Sequence, residues 1–279
     1  MERFKNNTAS QELSTLDFVG SIPEIYESVL GDFIFEPFAR NIVTRITHTE
    51  NGKVLELAAG TGRVTQYLSE LFSDTTNIIA TDISVDMLEV AQKKVKAANL
   101  VWQQVDIADI PYTDNSFDLI VCQFGIMFLQ DKIRGFSEIR RVLKPGGQFI
   151  FNVWAPLEEN KIWQITNQVM MQFVGQLPAL SHKVGPFSSS FVPAVQQQLQ
   201  DAGFDNCTVD TVKITSSISS AADAAKGFIH GLPIKEIMLK SNPDKIHDIQ
   251  DKLTYEFAAH LGDFPLYTSF TALVFTTLK

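Results

Sequence analysis

A glycine-rich turn stands where an apolar run gives way to an amphipathic one, in Val54-Leu55-Glu56-Leu57-Ala58-Ala59-Gly60-Thr61-Gly62-Arg63-Val64-Thr65. Glycine carries no Cβ, so such a turn lets a ligand approach the backbone closely. With a strand before it and a helix after it, the turn falls where open α/β sheets bind ligands. Asp82 lies 22 residues after Gly60, at the end of the second apolar run. A carboxylate there can accept both hydrogen bonds of a ribose diol. Asp106 ends the third run and precedes apolar Ile107, a pair suited to the edge and face of an adenine. Either acid alone reads as a helix cap or a solvated loop. Both together, at successive strand ends after a glycine turn, point to a nucleoside. A dinucleotide loop would need a third small residue for close helix–strand packing, and that position holds Thr65. A triphosphate loop would need Gly-Lys-Ser/Thr, and the chain has Gly62-Arg63-Val64. The ligand expected is nucleoside-like, but neither a dinucleotide nor a triphosphate.

Alternating elements must carry these residues. Val54–Leu57, Ile78–Thr81, Leu100–Val105, Phe117–Cys122 and Gln148–Trp154 are short, nearly continuous apolar runs, as expected of parallel strands covered on both faces. Between them, Val64, Leu68 and Leu71 share one helical face; Met87, Leu88, Ala91 and Val95 share a second, with Ser84 as N-cap. Ile133, Phe136, Ile139 and Leu143 form a third, stopped by Pro145-Gly146-Gly147. This alternation predicts a doubly wound βαβ sheet. Residues 1–48 read as helical, with Tyr26, Leu30, Phe33, Phe35 and Phe38 as apolar contacts. Further on come a helix over Phe191–Ala202, a strand over Thr208–Ile214, a helix opened by Ser241-Asn242-Pro243 and carrying Ile246, Ile249, Leu253 and Phe257, and a last alternating strand, Tyr267–Leu278.

The chain's 279 residues are 45% hydrophobic and 20% charged, ordinary globular values that exclude disorder and fibres. No apolar stretch approaches the ~18 residues of a spanning helix. The start, MERFKNNTASQEL, has no apolar export segment, so a cytoplasmic location without stable membrane insertion is expected. Two cysteines, Cys122 and Cys207, make neither a disulfide framework nor a zinc set. A net charge of −9 argues against nucleic acid as a partner. No repeat or linker divides the chain. It is read as one domain over 1–279: a helical segment 1–48, a nucleoside-binding half 49–155, and a C-terminal half 156–279 with cap segments near 156–195 and 218–262.

These motifs resemble those of the class I S-adenosylmethionine-dependent methyltransferases. Glu56-Leu57-Ala58-Ala59-Gly60-Thr61-Gly62 resembles the family's first motif, and Asp82-Ile83-Ser84 with Met87-Leu88 its ribose segment. Asp106-Ile107, Pro111-Tyr112 and Asn115-Ser116-Phe117-Asp118-Leu119-Ile120 resemble the adenine side and fourth strand; Arg141-Val142-Leu143-Lys144-Pro145-Gly146-Gly147 resembles the turn into the fifth. Cys122-Gln123-Phe124-Gly125-Ile126-Met127-Phe128 and the segment from Tyr26 to Ala39 are similar to the small-molecule branch that includes quinone-biosynthesis and lipid enzymes. The resemblance implies an α/β, Rossmann-like, mostly parallel seven-stranded sheet with helices on both faces, an antiparallel last strand and helical caps. It implies S-adenosyl-L-methionine as cofactor, leaving as S-adenosyl-L-homocysteine. Ala58, Gly60 and Gly62 would then lie against the methionine part, with Glu56 orienting the loop or the amino group. Asp82 would hold the ribose, Ile83 and Met87 would flank the adenine, Asp106 and Ile107 would bind its edge, and Gln123 with Phe124 would border the reacting centre.

The function expected is methyl transfer to a small, apolar or amphipathic acceptor by in-line displacement, where alignment supplies roughly 7–11 kcal/mol of the barrier. The 21 phenylalanines are material for an apolar pocket. His182, His230, His260, Tyr26 and Tyr255 are candidate bases, and the sequence singles out none of them. Cys122, followed by Gln123 inside a strand, is placed poorly for a nucleophile, and Gln123 with Asn152 makes no metal set. The alternatives are an inactive, cofactor-binding or partner-regulating relative and a nicotinamide-dependent reductase. Thr65 and the absence of any Tyr with a Lys four residues on weigh against the second.

Overall fold

The structure is a computed structural model that describes residues 18, 20–47, 52–174, 185–233, 238 and 243–279. Its centre is a seven-stranded sheet in the order β3-β2-β1-β4-β5-β7-β6. The strands are β1 (Lys53–Leu57), β2 (Asn77–Asp82), β3 (Leu100–Gln104), β4 (Phe117–Gln123), β5 (Leu143–Trp154), β6 (Cys207–Ile218) and β7 (Leu266–Leu278). β1 to β5 are parallel, and β7 runs antiparallel to both β5 and β6. The expected doubly wound sheet with one reversed last strand is therefore present. Strand order reverses between β1 and β4, which puts a crevice at their carboxyl ends, where Leu57 pairs with Cys122.

Alternate strand residues face opposite layers. Leu55, Leu57, Ile120, Cys122, Phe149 and Phe151 enter the larger core, and Val54, Leu119, Val121 and Ile150 the smaller. The helix α3 (Arg63–Leu71) packs through Val64 and Leu68, while Leu71, expected on the same face, is 53% exposed because the helix ends there. In α4 (Val85–Lys94) the Ser84 hydroxyl accepts the Met87 N–H, so the N-cap stands as read. In α5 (Lys132–Val142), Phe136 and Ile139 are buried and Ile133 is exposed; Leu143 belongs to β5, not to this helix.

Pro145-Gly146-Gly147 does not precede β5, as expected, but lies within it. The register slips between Phe117↔Leu143 and Leu119↔Gln148. The slack is taken up by Gly146 (φ 76°), whose N–H donates to the Lys279 carbonyl at 2.8 Å.

The N-terminal helix runs as α1 (Ile22–Ile25), a π-helical stretch (Tyr26–Phe35) and α2 (Glu36–Val43), and buries Leu30, Phe33, Phe35 and Phe38. The helix α6 (Lys161–Val174) meets α8 (Ala221–His230) through Trp163 and Phe228 at 4.7 Å, and Phe228 meets Phe257 of α9 (Ile246–Leu261) at 5.6 Å. The remaining helix, α7 (Val192–Asp201), places Leu199 in the core. Ser241 and Asn242, expected to open α9, lie outside the described residues, as does His182. Among the described residues no helix is long and apolar enough to cross a membrane.

Candidate cofactor and acceptor site

β1 delivers its chain into the crevice through residues with left-handed backbones: Ala58 (φ 52°), Gly60 (φ 55°) and Gly62 (φ 79°). A Cβ on Gly62 would lie 3.1 Å from both the Ala91 Cβ and the Trp102 ring, so helix–strand packing demands glycine there. A Cβ on Gly60 would meet nothing within 4 Å. The open space beside Gly60 is what a ligand lying on the backbone requires.

Asp82, the last residue of β2, ties the turn together. One carboxylate oxygen accepts the Gly60 N–H and the other the Ser84 N–H, both at 2.8 Å. Burial raises its pKa, while those N–H groups oppose the shift. Glu56 is 2% exposed, and burial pushes its carboxyl up to about 8. Its side-chain partner among the described residues is the Thr65 hydroxyl, which donates at 2.6 Å. Thr65, read in sequence as a misfit to a dinucleotide loop, thus has a positive role as the anchor of Glu56. A buried, mostly neutral carboxyl beside an open backbone is well suited to receive an ammonium group, which would draw its proton off.

A narrow cleft is lined by Tyr26, Phe35, Glu56, Ala58, Gly60 and Gln123, among others. The structure therefore brings four of the expected site residues, Glu56, Ala58, Gly60 and Gln123, to this cleft, with Asp82 bonded to the Gly60 N–H, while Gly62 packs against Ala91 and Trp102 and is not among the lining residues. Ile83 is 64% exposed just after β2, Met87 is buried in α4, and neither lines the cleft. Asp106 does not end β3, which stops at Gln104. It lies two residues on in an exposed turn, where its carboxylate accepts the Ala108 N–H at 2.8 Å. Short-range capping by its own turn displaced it from the ladder. Ile107 packs into the larger core.

Across the crevice the residues are aromatic and uncharged. Phe124 (φ 52°) stacks on Trp154 at 4.1 Å, and Phe38 and Phe35 meet Phe124 edge-on at 5.3 and 5.9 Å. Tyr26 stacks on Phe35 at 4.5 Å. Gln123 and Asn152 are register partners at the ends of β4 and β5. Gln123 donates to the Phe35 carbonyl at 3.3 Å, and Asn152 Oδ1 accepts the Phe124 N–H at 2.8 Å. Gln123 Oε1 and Asn152 Nδ2 are buried without partners among the described residues. Such orphaned atoms are costly, and here they adjoin the cleft end of the strands.

Of the candidate bases among the described residues, Tyr26 alone lines this cleft. Burial holds its phenol well above the usual range, so it remains a hydrogen-bond donor. His230 pairs with Gln250 at 2.9 Å, His260 with Glu256 at 3.3 Å, and Tyr255 is 66% exposed. Burial pushes Cys122 up to about 12, which removes it as a nucleophile.

Residues 55–151 match the family described as "Methyltransferase domain". The ubiquinone/menaquinone biosynthesis C-methyltransferase UbiE of Shewanella oneidensis is 31% identical over 179 residues, which are 60% of this chain and 70% of that protein. The chain belongs to the class I S-adenosylmethionine-dependent methyltransferases. The same enzyme of Pseudoalteromonas translucida is 27% identical over 217 residues, 73% of this methyltransferase and 86% of that one. Phosphoethanolamine N-methyltransferase 2 of Haemonchus contortus, in complex with S-adenosyl-L-methionine, shares the fold at 16% identity with a TM-score of 0.60. That superposition covers 99% of this chain, which spans 61% of the nematode enzyme. This chain's cofactor is S-adenosylmethionine, and the open Gly60 backbone, the buried Glu56 carboxyl and the Asp82 oxygens are groups of a kind that fit an amino-acid chain, an ammonium and a ribose diol, respectively.

Proposed function

We propose that this methyltransferase acts on a small, neutral, ring-bearing acceptor of the phenol or quinol type, held between the N-terminal helix and the carboxyl ends of β4 and β5. The observation that carries the reading is the composition of that wall: Tyr26 and Phe35 line the cleft with rings, Gln123 lines it with a neutral amide, and the buried Phe124–Trp154 stack with Asn152 stands behind them. The relatives named for ubiquinone and menaquinone biosynthesis agree with such an acceptor.

When bound, the cofactor supplies an electrophilic methyl group on a sulfonium. The chain's residues supply placement. In this reading Ala58, Gly60 and Gly62 present backbone to its amino-acid part, Glu56 takes its ammonium, Asp82 its ribose hydroxyls, and Ile83 and Met87 its adenine face. Asp106 and Ile107 are assigned the adenine edge, and Gln123 orients the acceptor beside the methyl group. Aromatic faces of Tyr26 and Phe35 attract the sulfonium charge and exclude water. Tyr26, kept as a phenol, donates a hydrogen bond to the acceptor oxygen. The same reading takes residues 1–279 as one cytoplasmic methyltransferase domain.

The test is calorimetric titration with S-adenosylmethionine and S-adenosylhomocysteine, with NADH and NADPH as controls, followed by turnover on hydroquinones, phenols, lipids and amines. Micromolar binding of the first pair with transfer to a hydroquinone or phenol supports the reading. Preferred transfer to a cationic amine or a phosphate ester overturns the acceptor assignment.

A further inference from the structure

Arg63, the residue after Gly62, sends its guanidinium into the N-terminal helix. There it meets Glu27 (Nη2–Oε1 2.8 Å, Nε–Oε2 3.1 Å), the Glu27 carbonyl (3.1 Å), Glu36 (3.1 Å) and Asp32. Glu27 and Asp32 come to one side because this stretch is π-helical, with i→i+5 bonding, whereas Glu36, four residues after Asp32, is the first residue of α2. Gly31 makes room, since a Cβ there would lie 2.0 Å from the guanidinium nitrogen. Glu27 is a hub in its own right. It also accepts the Thr61 hydroxyl at 2.6 Å and the Lys94 ammonium at 2.8 Å, joining the glycine turn, α4 and the helix at one carboxylate. Burial alone would raise that carboxyl, yet the Lys94 and Thr61 hydrogen bonds and the Arg63 charge hold it below its ordinary range. The Arg63, Glu27 and Glu36 side chains are 11%, 19% and 20% exposed, so this cluster is shielded from solvent screening far more than a surface pair.

The clamp brackets the two rings that close the cleft. Tyr26 immediately precedes Glu27, Phe35 immediately precedes Glu36, and the rings stack on each other. We propose that Glu27 and Arg63 are positioning residues for methyl transfer: their ion-pair clamp fastens the N-terminal helix to the glycine turn and so holds Tyr26 and Phe35 over the bound cofactor. This rests on the cofactor lying along the glycine turn, as proposed above. Release of the cofactor then requires parting helix from turn, and the clamp sets how fast that happens.

The experiment measures S-adenosylhomocysteine dissociation from the full chain by stopped flow, with affinity by calorimetry, for wild type, Arg63→Met, Glu27→Gln, the double variant and Arg141→Met. Arg141 is the control because it joins Glu138 and Asp114 with comparable ion pairs away from the cleft. Loss of charged hydrogen bonds of this kind corresponds to about tenfold or more. Arg63→Met and Glu27→Gln should each release the ligand about tenfold faster, the double variant should be little worse than Arg63→Met, and Arg141→Met should stay at the wild-type rate. A folded Arg63→Met that dissociates at the wild-type rate overturns the clamp, as does equal acceleration by Arg141→Met. If Arg63→Met does not fold, Glu27→Gln, which keeps side-chain shape and an acceptor for Thr61, decides alone. Wild-type chain that binds no S-adenosylhomocysteine would instead overturn the cofactor placement on which the clamp depends.

Discussion

On the β1–β2 side of the crevice, polar contacts run through carboxyl groups fastened to backbone and hydroxyl partners: Asp82 to Gly60 and Ser84, Glu56 to Thr65. On the β4–β5 side, the stacked rings of Phe124 and Trp154 follow two strand-end amides, Gln123 and Asn152, that each leave one polar atom unpaired among the described residues. The first wall is satisfied within the protein and built around backbone that only glycine adopts easily. The second is unsatisfied and neutral. A cofactor common to a whole family can be met by a fixed, self-supporting wall, whereas the wall for a particular acceptor must leave its hydrogen bonds for that acceptor to complete. The contrast predicts that damage on one side will show in folding and cofactor binding, and damage on the other in turnover.

The largest effect should come from Gly62→Ala. Left-handed backbone costs an L-residue about 1–2 kcal/mol, and a methyl crowding Ala91 and Trp102 at 3.1 Å adds about 1–2 kcal/mol of overpacking. Urea unfolding should show a loss of about 2–4 kcal/mol. Gly60→Ala should cost only the backbone share, since its Cβ meets nothing, yet it should harm S-adenosylhomocysteine binding more than Gly62→Ala does per unit of stability lost. Equal stability losses in the two variants would break the distinction between packing glycine and ligand-facing glycine.

Next in size is Asp82→Ala, which removes a charged acceptor and should weaken S-adenosylhomocysteine binding by about 1.5–3 kcal/mol in calorimetry. Unchanged affinity in a folded variant would remove Asp82 from the cofactor wall. Asn152→Ala tests the opposite wall. Cofactor affinity should stay within about twofold, while kcat/KM for the acceptor falls roughly tenfold, the equivalent of one hydrogen bond to a bound group. A parallel loss of cofactor affinity would mean that the two walls are not separable.

How much of this was legible in the sequence follows the range of the interactions involved. The central parallel strands β1 and β4 were readable because both their faces are buried, and the reversed last strand because its sequence pattern alternates toward its ends. Ser84 was readable because capping is local. Leu71 and Leu143 were misjudged because helical spacing persists past the helix's last turn, and spacing alone does not mark where packing stops. The third strand was carried on to Asp106, two residues past its end at Gln104, because the turn that captures Asp106, through Ala108, follows it in sequence. Pro145-Gly146-Gly147 carried a true helix stop, but the bulge it forms depends on Lys279, far away along the chain. The clamp around Arg63 was invisible for a related reason. Glu27 lies within the π-helical stretch that ends at Phe35, before Glu36, and a reading at 3.6 residues per turn puts Glu27 on the opposite side from Glu36.

The smallest effect is the most diagnostic of the cofactor wall, because it turns on a single proton. Burial holds Glu56 at about 8, against 4.5 for the free carboxyl. The sign for folding follows directly. The protonated form is favoured in the native state, so the stability it contributes is present below pH 4.5 and is lost as pH rises toward 8. Binding has the opposite sign, since an ammonium group prefers the ionised carboxylate. Affinity for S-adenosylhomocysteine should therefore rise between pH 6 and pH 8 by about 1 kcal/mol per pH unit at most and then level off. Below pH 8, binding should release part of a proton, readable as a difference in apparent enthalpy between buffers of unlike ionisation heat. Glu56→Gln should abolish that release and flatten the affinity profile. It should also make the cofactor-free fold more resistant to urea at pH 8, because a neutral amide replaces a buried carboxylate and still accepts from Thr65. If the variant instead lost stability at pH 8 and kept the pH profile, the carboxyl would be a structural anchor for α3, and the ammonium would have to be received elsewhere on the β1–β2 wall.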